Sequence, residues 1–243
     1  MSDLKNFNGI AAADLKNYNG IAKADLKTIN GLTAASSIIV MEDDFTGETI
    51  DTSKWDLASG DGYTTFTQND NLTINVNNNG ADYDDYMISD ASVSSGVCAV
   101  QFTMNWTEGL GRVGTVGLFR SSTTPSGATL DYHTKLTQRN ADDNNDARWD
   151  LRLTVDDTAI KTTIAKGNIF KIVYDFSATS VKLYYWNSTV WTQYGATKTS
   201  KNLHQGDGLK VGIFGNGNIT TDPVVVVDNL YFTNEDYATA TPS

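Results

Sequence analysis

After residue 37 the chain alternates apolar and polar side chains with a period of two, the spacing that sets one face of a β-strand against a core and leaves the other to solvent. Cys98, Val100, Phe102, Met104 and Trp106 fall on one side, and Ala99, Gln101, Thr103 and Asn105 on the other. The pattern returns in Trp149, Leu151, Leu153 and Val155, which alternate with Asp150, Arg152, Thr154 and Asp156, and again in Phe170, Ile172, Tyr174 and Phe176. Leu72, Ile74 and Val76, then Val181, Leu183 and Tyr185, and the run from Val224 to Phe232 predict further strands. Turn-forming clusters at Ser59–Gly62, Asn77–Gly80 and Asn216–Gly217 punctuate the series. No convincing helix of three turns follows residue 40. About a dozen or more short strands in roughly 200 residues exceed an immunoglobulin domain and predict an all-β, two-sheet jelly-roll sandwich.

Residues 3 to 32 follow a different rule. Asp3-Leu-Lys-Asn-Phe-Asn-Gly-Ile10 returns as Asp14-Leu-Lys-Asn-Tyr-Asn-Gly-Ile21 and as Asp25-Leu-Lys-Thr-Ile-Asn-Gly-Leu32, a period of 11 residues. Each unit joins a helix-compatible Ala/Asp/Leu/Lys stretch to Asn-Gly, which ends a helix or makes a tight turn, so one continuous helix is not expected. Leu4, Phe7 and Ile10, then Leu15, Tyr18 and Ile21, then Leu26, Ile29 and Leu32 give every unit a small apolar face. About 30 residues cannot bury such faces alone. These positions are the candidate anchor, which either folds back on its own domain or orders against another protein or a copy of itself. Thr33–Ser37 reads as a linker, so residues 1–36 are expected to form the repeat anchor and linker and residues 37–243 the sandwich.

Composition narrows the function classes. Lys and Arg number 18 against 29 Asp and Glu, a net charge of −11 that repels nucleic-acid phosphates and anionic lipid, and no basic run offsets it. Apolar runs stay short of the roughly 18 residues a membrane span needs, so neither nucleic-acid binding nor membrane insertion is expected. Cys98 is the single cysteine and His133 and His204 are the only histidines, which excludes an intrachain disulfide and a four-coordinate His/Cys zinc site. The opening residues lack the basic start and apolar middle of a secretory signal, which predicts synthesis in a cytosol. Asn-x-Ser/Thr sequons at Asn71, Asn105, Asn187 and Asn218 are of the kind an Asn- and Thr-rich chain produces by chance.

Two resemblances add to this reading. The tandem Lys-x-φ-Asn-Gly-φ units resemble repeats in the structural, tail and fibre proteins of tailed bacteriophages and prophages. Glu42-Asp-Asp-Phe-Thr-Gly47 with Ile50–Trp55 resembles the first strand and loop of concanavalin A-like lectin/glucanase domains. Val224–Phe232 is similar to their last strand, which lies beside the first, and Phe170–Phe176 with Val181–Trp191 is similar to their paired late strands. The resemblance, over residues 40–235, implies a concanavalin A-like jelly roll; fold alone does not give function. Many glycanases of that superfamily carry Glu-x-Asp-x-x-Glu on one strand, as nucleophile and acid. Here the glutamates are Glu42, Glu48, Glu108 and Glu235, and the nearest aspartate pair, Asp150 and Asp156, has Arg152 and Thr154 between its members on one face. No catalytic residue is assigned, and the chain is read as a non-enzyme.

The family resemblance also implies a structural calcium held by Asp44, Gly47 and Asp228. Asp142–Asp146 opens like an EF-hand loop but has Ala147 where the sharp turn needs glycine, and that match is rejected. Sugar recognition needs flat aromatic faces beside amide and carboxylate groups. Tyr184, Trp186, Trp191 and Tyr194 around Asn187-Ser188 are the candidate glycan-binding residues, and Tyr83–Tyr86 is a second polar aromatic stretch. The resulting expectation is a bacteriophage virion protein of fibre, tail or capsid decoration, docked to other virion proteins or to its own copies through residues 1–36 and presenting a lectin-like domain to a cell-surface glycan. The alternatives are a bacterial or prophage-encoded carbohydrate-binding or glycanase module, and a self-associating scaffold.

Overall fold

The computed structural model describes residues 6–7, 10–11, 17–18, 21–22, 28–29, 32–33, 39–58, 64–76, 85–106, 111–122, 133–140, 146–152, 158–162, 168–199, 203–204, 206–215 and 224–235. Two compact units follow one another along the chain, residues 1–38 and 39–243.

In the first unit each repeat forms a small antiparallel hairpin. β1 (Asn6–Phe7) pairs with β2 (Ile10–Ala11), β3 (Asn17–Tyr18) with β4 (Ile21–Ala22), and β5 (Thr28–Ile29) with β6 (Leu32–Thr33). Phe7 pairs with Ile10, Tyr18 with Ile21 and Ile29 with Leu32, which leaves one Asn-Gly to connect each pair. Two residues is the length of the commonest hairpin connection; the Asn-Gly pairs themselves lie outside the described residues. Leu4, Leu15 and Leu26 lie outside the described residues. Thr33, expected to open the linker, ends β6.

The second unit is a two-sheet, all-antiparallel sandwich with no helix among its described residues. One sheet has the order β19 (Trp191–Thr199), β18 (Ser180–Trp186), β17 (Asn168–Asp175), β12 (Val97–Trp106), β21 (Val224–Thr233), β10 (Leu72–Val76), β9 (Thr64–Gln68), with β7 (Ile39–Asp43) also on β21. The other has the order β16 (Thr158–Thr162), β15 (Asp146–Arg152), β14 (His133–Asn140), β13 (Gly111–Arg120), β20 (Leu209–Gly215), β11 (Tyr86–Ser89), β8 (Trp55–Ala58). The first and last strands of the sandwich lie side by side, Met41 opposite Phe232, and the late pair β17–β18 sets Ile172 opposite Leu183.

The core lies between the sheets. Cys98, Val100, Phe102 and Met104 face Val116, Leu118, Val211 and Ile213 across it, with Phe170, Ile172, Tyr174, Leu72, Ile74 and Phe232 in the same cluster. Each such side chain, taken fully out of water, contributes about 1.5–3 kcal/mol before conformational entropy is counted. The sheets approach closely at Gly114, where a Cβ would stand 2.6–2.9 Å from the Val225 side chain.

Alternation alone places Ala99 and Gln101 in solvent, yet both are buried. β12 is a central strand, and the outward side chains of its neighbours cover it: Gln101 lies in register with Lys171 on one side and Tyr231 on the other. The opening turn is fixed by the buried Asp43. Its carboxylate accepts the Trp55 indole N–H at 2.7 Å and the Phe45 amide at 2.9 Å, with the Lys54 ammonium 3.9 Å away. Phe45 takes a left-handed φ of 51°, unusual for a bulky residue, and its ring stacks 6.0 Å from Trp55. This knot sets the position of Asp44 and Gly47.

Candidate functional site

Four aromatic positions on the β18–β19 hairpin carry the binding expectation, and its register sorts them. Trp186 pairs with Trp191, Tyr184 with Gln193, and Leu183 with Tyr194. Leu183 is a core residue, so its partner Tyr194 also faces inward, packing against the core edge and 6.3 Å from Tyr185. Tyr184, Trp186 and Trp191 share the outer face. Three of the four candidates therefore come together and Tyr194 does not, because Trp191 and Tyr194 are three residues apart on a strand of period two. Of Tyr83–Tyr86, Tyr83 and Asp84 lie outside the described residues, and Tyr86 packs elsewhere.

The hairpin tip is tied by one side chain. Asn187 Oδ1 accepts the amides of Thr189 (3.1 Å) and Val190 (2.9 Å), its Nδ2 donates to Thr192 Oγ1 (3.1 Å), and Ser188 takes a φ of 74°. Val190 is left 54% exposed at the tip. Trp186 and Trp191 meet edge to face, with centroids 5.5 Å apart and planes at 64°. The outward row beside them runs Gln101, Lys171, Tyr184, Gln193, of which the exposed Gln193 sets an amide next to the rings.

Sequence reasoning missed Lys171. It is 3% exposed although it lies on the outer face, and its ammonium sits 4.9 Å from the Tyr184 ring centroid and 5.0 Å from that of Trp191. The Trp191 indole N–H is buried and has no hydrogen-bond partner. A lysine in a strand pattern ordinarily marks a solvated position; only the three-strand register shows rings closing over it.

A second locus lies along the edge of β21. β10 pairs with residues 224–227 and β7 with residues 230–233, so Asp228 and Asn229 fall in the gap between them. Asn229 has a φ of 49° and donates its amide to Asp228 Oδ1 at 2.8 Å. Burial pushes the Asp228 carboxyl above its usual range against that hydrogen bond, and the charge of Asp44 pushes the same way. The Thr46 amide and hydroxyl hold Asp44 below the usual range. Gly47, at φ 89°, turns its carbonyl to the Asp70 amide at 3.3 Å.

This donor set fits a hard cation in part. Two carboxylates interact unfavourably, the Gly47 carbonyl keeps a second lone pair, and at the end of β9 Gln68 Oε1 is buried with no donor while Gln68 Nε2 donates to the Thr46 carbonyl at 2.8 Å. No group of three or more His, Cys, Asp and Glu capable of holding a metal occurs among the described residues, so backbone carbonyls and water must complete any shell.

Other polar groups are arranged structurally. Cys98 is in the core, and burial pushes its thiol far up. Ser122 Oγ donates to Asp207, as does Arg120 Nε, while His204 Nδ1 accepts the Gly206 amide at 3.0 Å and its ring lies 4.9 Å from Phe176. Neither residue thus makes the serine–histidine contact of a nucleophile. Asp150 stands in register with Lys135, and Asp156 and Asp142–Asn145 lie outside the described residues. On the far face of the seven-stranded sheet, the Phe119 and Phe214 rings meet at a tilt of 57° with centroids 4.6 Å apart over Gly212, and are 2% and 0% exposed.

No protein-family model matches the chain, and no characterised protein matches it by sequence. Solved structures match its fold. A GH43 protein, BlXynB, from Bacillus licheniformis superposes with a TM-score of 0.63 at 13% identity over 84% of this chain; the match spans 41% of the other protein's length. Lectin I from Ulex europaeus, in complex with the methyl glycoside of α-L-fucose, gives 0.54 at 15% identity, over 74% of this chain and 91% of that one. The catalytic domain of an endo-1,3-β-glucanase (laminarinase) from Thermotoga petrophila gives 0.57 at 12% identity, over 82% and 98%. The architecture is the concanavalin A-like jelly roll; at these identities the likeness concerns fold.

Proposed function

We propose that the protein is a carbohydrate-binding, non-enzymatic module that engages a glycan on the outer face of the β18–β19 hairpin. The observation that carries this is the gathering of Tyr184, Trp186 and Trp191 on one outward face, beside the amide of Gln193 and next to an exposed tip. Ring faces take the C–H side of a sugar and neighbouring amides take its hydroxyls. The fold shared with a lectin and with glycanases is consistent with this class. The setting we propose is a bacteriophage virion, with the hairpin repeat docking the module to other virion proteins or to its own copies; the support is the resemblance of the repeat to phage structural proteins. Many weak contacts then act together through effective concentration.

Asp44, Gly47 and Asp228 would hold a structural calcium at the β7–β21 junction, where it would offset the repulsion between the two carboxylates. The glycanase alternative draws on the same fold support; against it stand the absence of a paired-glutamate motif and the separation of Glu42 and Glu48, both exposed, from the aromatic hairpin.

A glycan array read with the full chain tests the binding reading. Retention of at least one glycan is expected, with loss in Trp191→Ala and Tyr184→Ala and persistence in Tyr194→Phe. Silence of the parent chain across the array overturns it. Release of reducing ends from laminarin or xylan would favour the glycanase instead.

A further inference from the structure

Lys171 is the observation that the binding reading leaves unused. A lysine on the outer face of a sheet has every reason to extend into water, because its ammonium is strongly hydrated and its stem is flexible. Here the side chain is 3% exposed, and the ammonium lies within 5.0 Å of two ring centroids contributed by two other strands, Tyr184 on β18 and Trp191 on β19. Both separations fall inside the range over which a cation is attracted to a ring face. A desolvated cation held by two rings couples them, since neither can swing away without leaving the charge less well covered.

We propose that Lys171 is the positioning residue of the aromatic face. It joins β17 to the hairpin and fixes the orientation in which Tyr184 and Trp191 are presented. One face of each of these rings is committed to the ammonium, and the opposite face is the one left for a ligand. Register supports the assignment. Lys171 is directly opposite Tyr184, and Trp191 is two residues along β19 from Gln193, the partner of Tyr184, so a lysine stem reaches both rings. Trp191 lies in the edge strand of the sheet and its indole N–H makes no hydrogen bond, so the cation is the polar contact that orients it. Trp186, which meets Trp191 edge to face, is held at second hand.

The test separates charge from packing. Lys171→Met keeps the length of the side chain and removes the charge, whereas Lys171→Arg keeps the charge. The ligand-free readout is the indole N–H signal of Trp191 in a ¹H–¹⁵N spectrum of the full chain, one of five tryptophans, assigned by its disappearance in Trp191→Phe. Lys171→Met is expected to shift and broaden that signal and to raise acrylamide quenching of Trp191 about twofold. Lys171→Arg is expected to restore both. Should Lys171→Met fail to fold, Tyr184→Leu replaces it, since removing one ring of a coupled pair must also move the Trp191 signal.

The second readout rests on the binding reading: retardation of each variant in gels containing laminarin, xylan or bacterial peptidoglycan. Binding in Lys171→Met is expected to weaken about tenfold, the factor that about 1.4 kcal/mol of cation–ring attraction represents, and to recover in Lys171→Arg. An unchanged Trp191 signal in Lys171→Met, or an arginine that fails to restore it, overturns the proposal. A parent chain that binds none of these probes removes the second readout alone, and the indole signal then decides the role of Lys171 by itself.

Discussion

Replacing Asp43 by alanine would strip the acceptor from two buried donors at once. The Trp55 indole N–H, 2.7 Å from the carboxylate, and the Phe45 amide, 2.9 Å from it, belong to a pair of rings that is buried to within 1%. Water has no ready access to either donor, and an unsatisfied buried group costs about 1–3 kcal/mol. Two of them give about 4 kcal/mol, a large part of the roughly 5–15 kcal/mol that holds a domain folded. Lys54 contributes little to this sum: at 3.9 Å and 36% side-chain exposure its ion pair is worth under about 1 kcal/mol. Asp43→Asn keeps one acceptor oxygen and should cost about half as much. Equilibrium urea unfolding of the full chain at pH 7, followed by tryptophan fluorescence and by circular dichroism, measures both. A double-mutant cycle with Trp55→Phe isolates the pair, because removing the donor as well as the acceptor should recover at least about 1 kcal/mol of the summed single losses. An Asp43→Ala protein within about 0.5 kcal/mol of the parent, or a cycle additive to that precision, would refute the claim that this carboxylate ties the opening turn.

Four further outcomes follow from the same geometry. Asp228 has its carboxyl raised in the folded state above the ordinary 3.8, so its protonated form is the one folding favours. The stability tied to that proton is present below the unfolded pKa and lost as pH rises through the folded one. Asp228→Asn should therefore raise the melting temperature at pH 7 in chelator, with the gain fading towards pH 3. With millimolar calcium in place of chelator the parent should gain and the variant should not; a parent melt indifferent to calcium removes the metal proposal. Gly114→Ala forces a Cβ to within 2.6–2.9 Å of the Val225 side chain across the core and should cost about 1–3 kcal/mol by urea unfolding. Gly212→Ala drives a Cβ to 2.7–2.8 Å from the Phe119 and Phe214 rings and should cost about as much. Cys98, fully buried with its thiol pushed up, should resist Ellman's reagent in the native protein and react as one thiol per chain in guanidinium.

The strands were legible because burial on one face writes a period of two, and runs such as Cys98–Trp106 and Phe170–Phe176 keep it. So was the adjacency of the first and last strands, through the resemblance of Glu42–Gly47 and Val224–Phe232 to a known sandwich. The separation of Tyr194 from Trp191 was also within reach, since two residues three apart on a regular strand face opposite ways. Asn-Gly left helix end and hairpin open, because the same left-handed backbone serves both; only the pairing of Phe7 with Ile10 shows strands on either side of it.

Taken alone, the sequence determined the class of structure and the excluded chemistries: an all-β sandwich after a three-unit repeat, acidic, with one buried thiol. These follow from local periodicity and from composition, which need no knowledge of which strand meets which. Tertiary structure alone decided that Lys171 lies beneath Tyr184 and Trp191, that Asp228 falls in the gap between the pairings of β7 and β10, and that Gln101 is covered on a face alternation gives to solvent. Each depends on register between strands distant along the chain. Register is set by the whole pattern of core packing and hydrogen-bonded pairing, and a period of two says only which face a residue takes, not what will stand beside it.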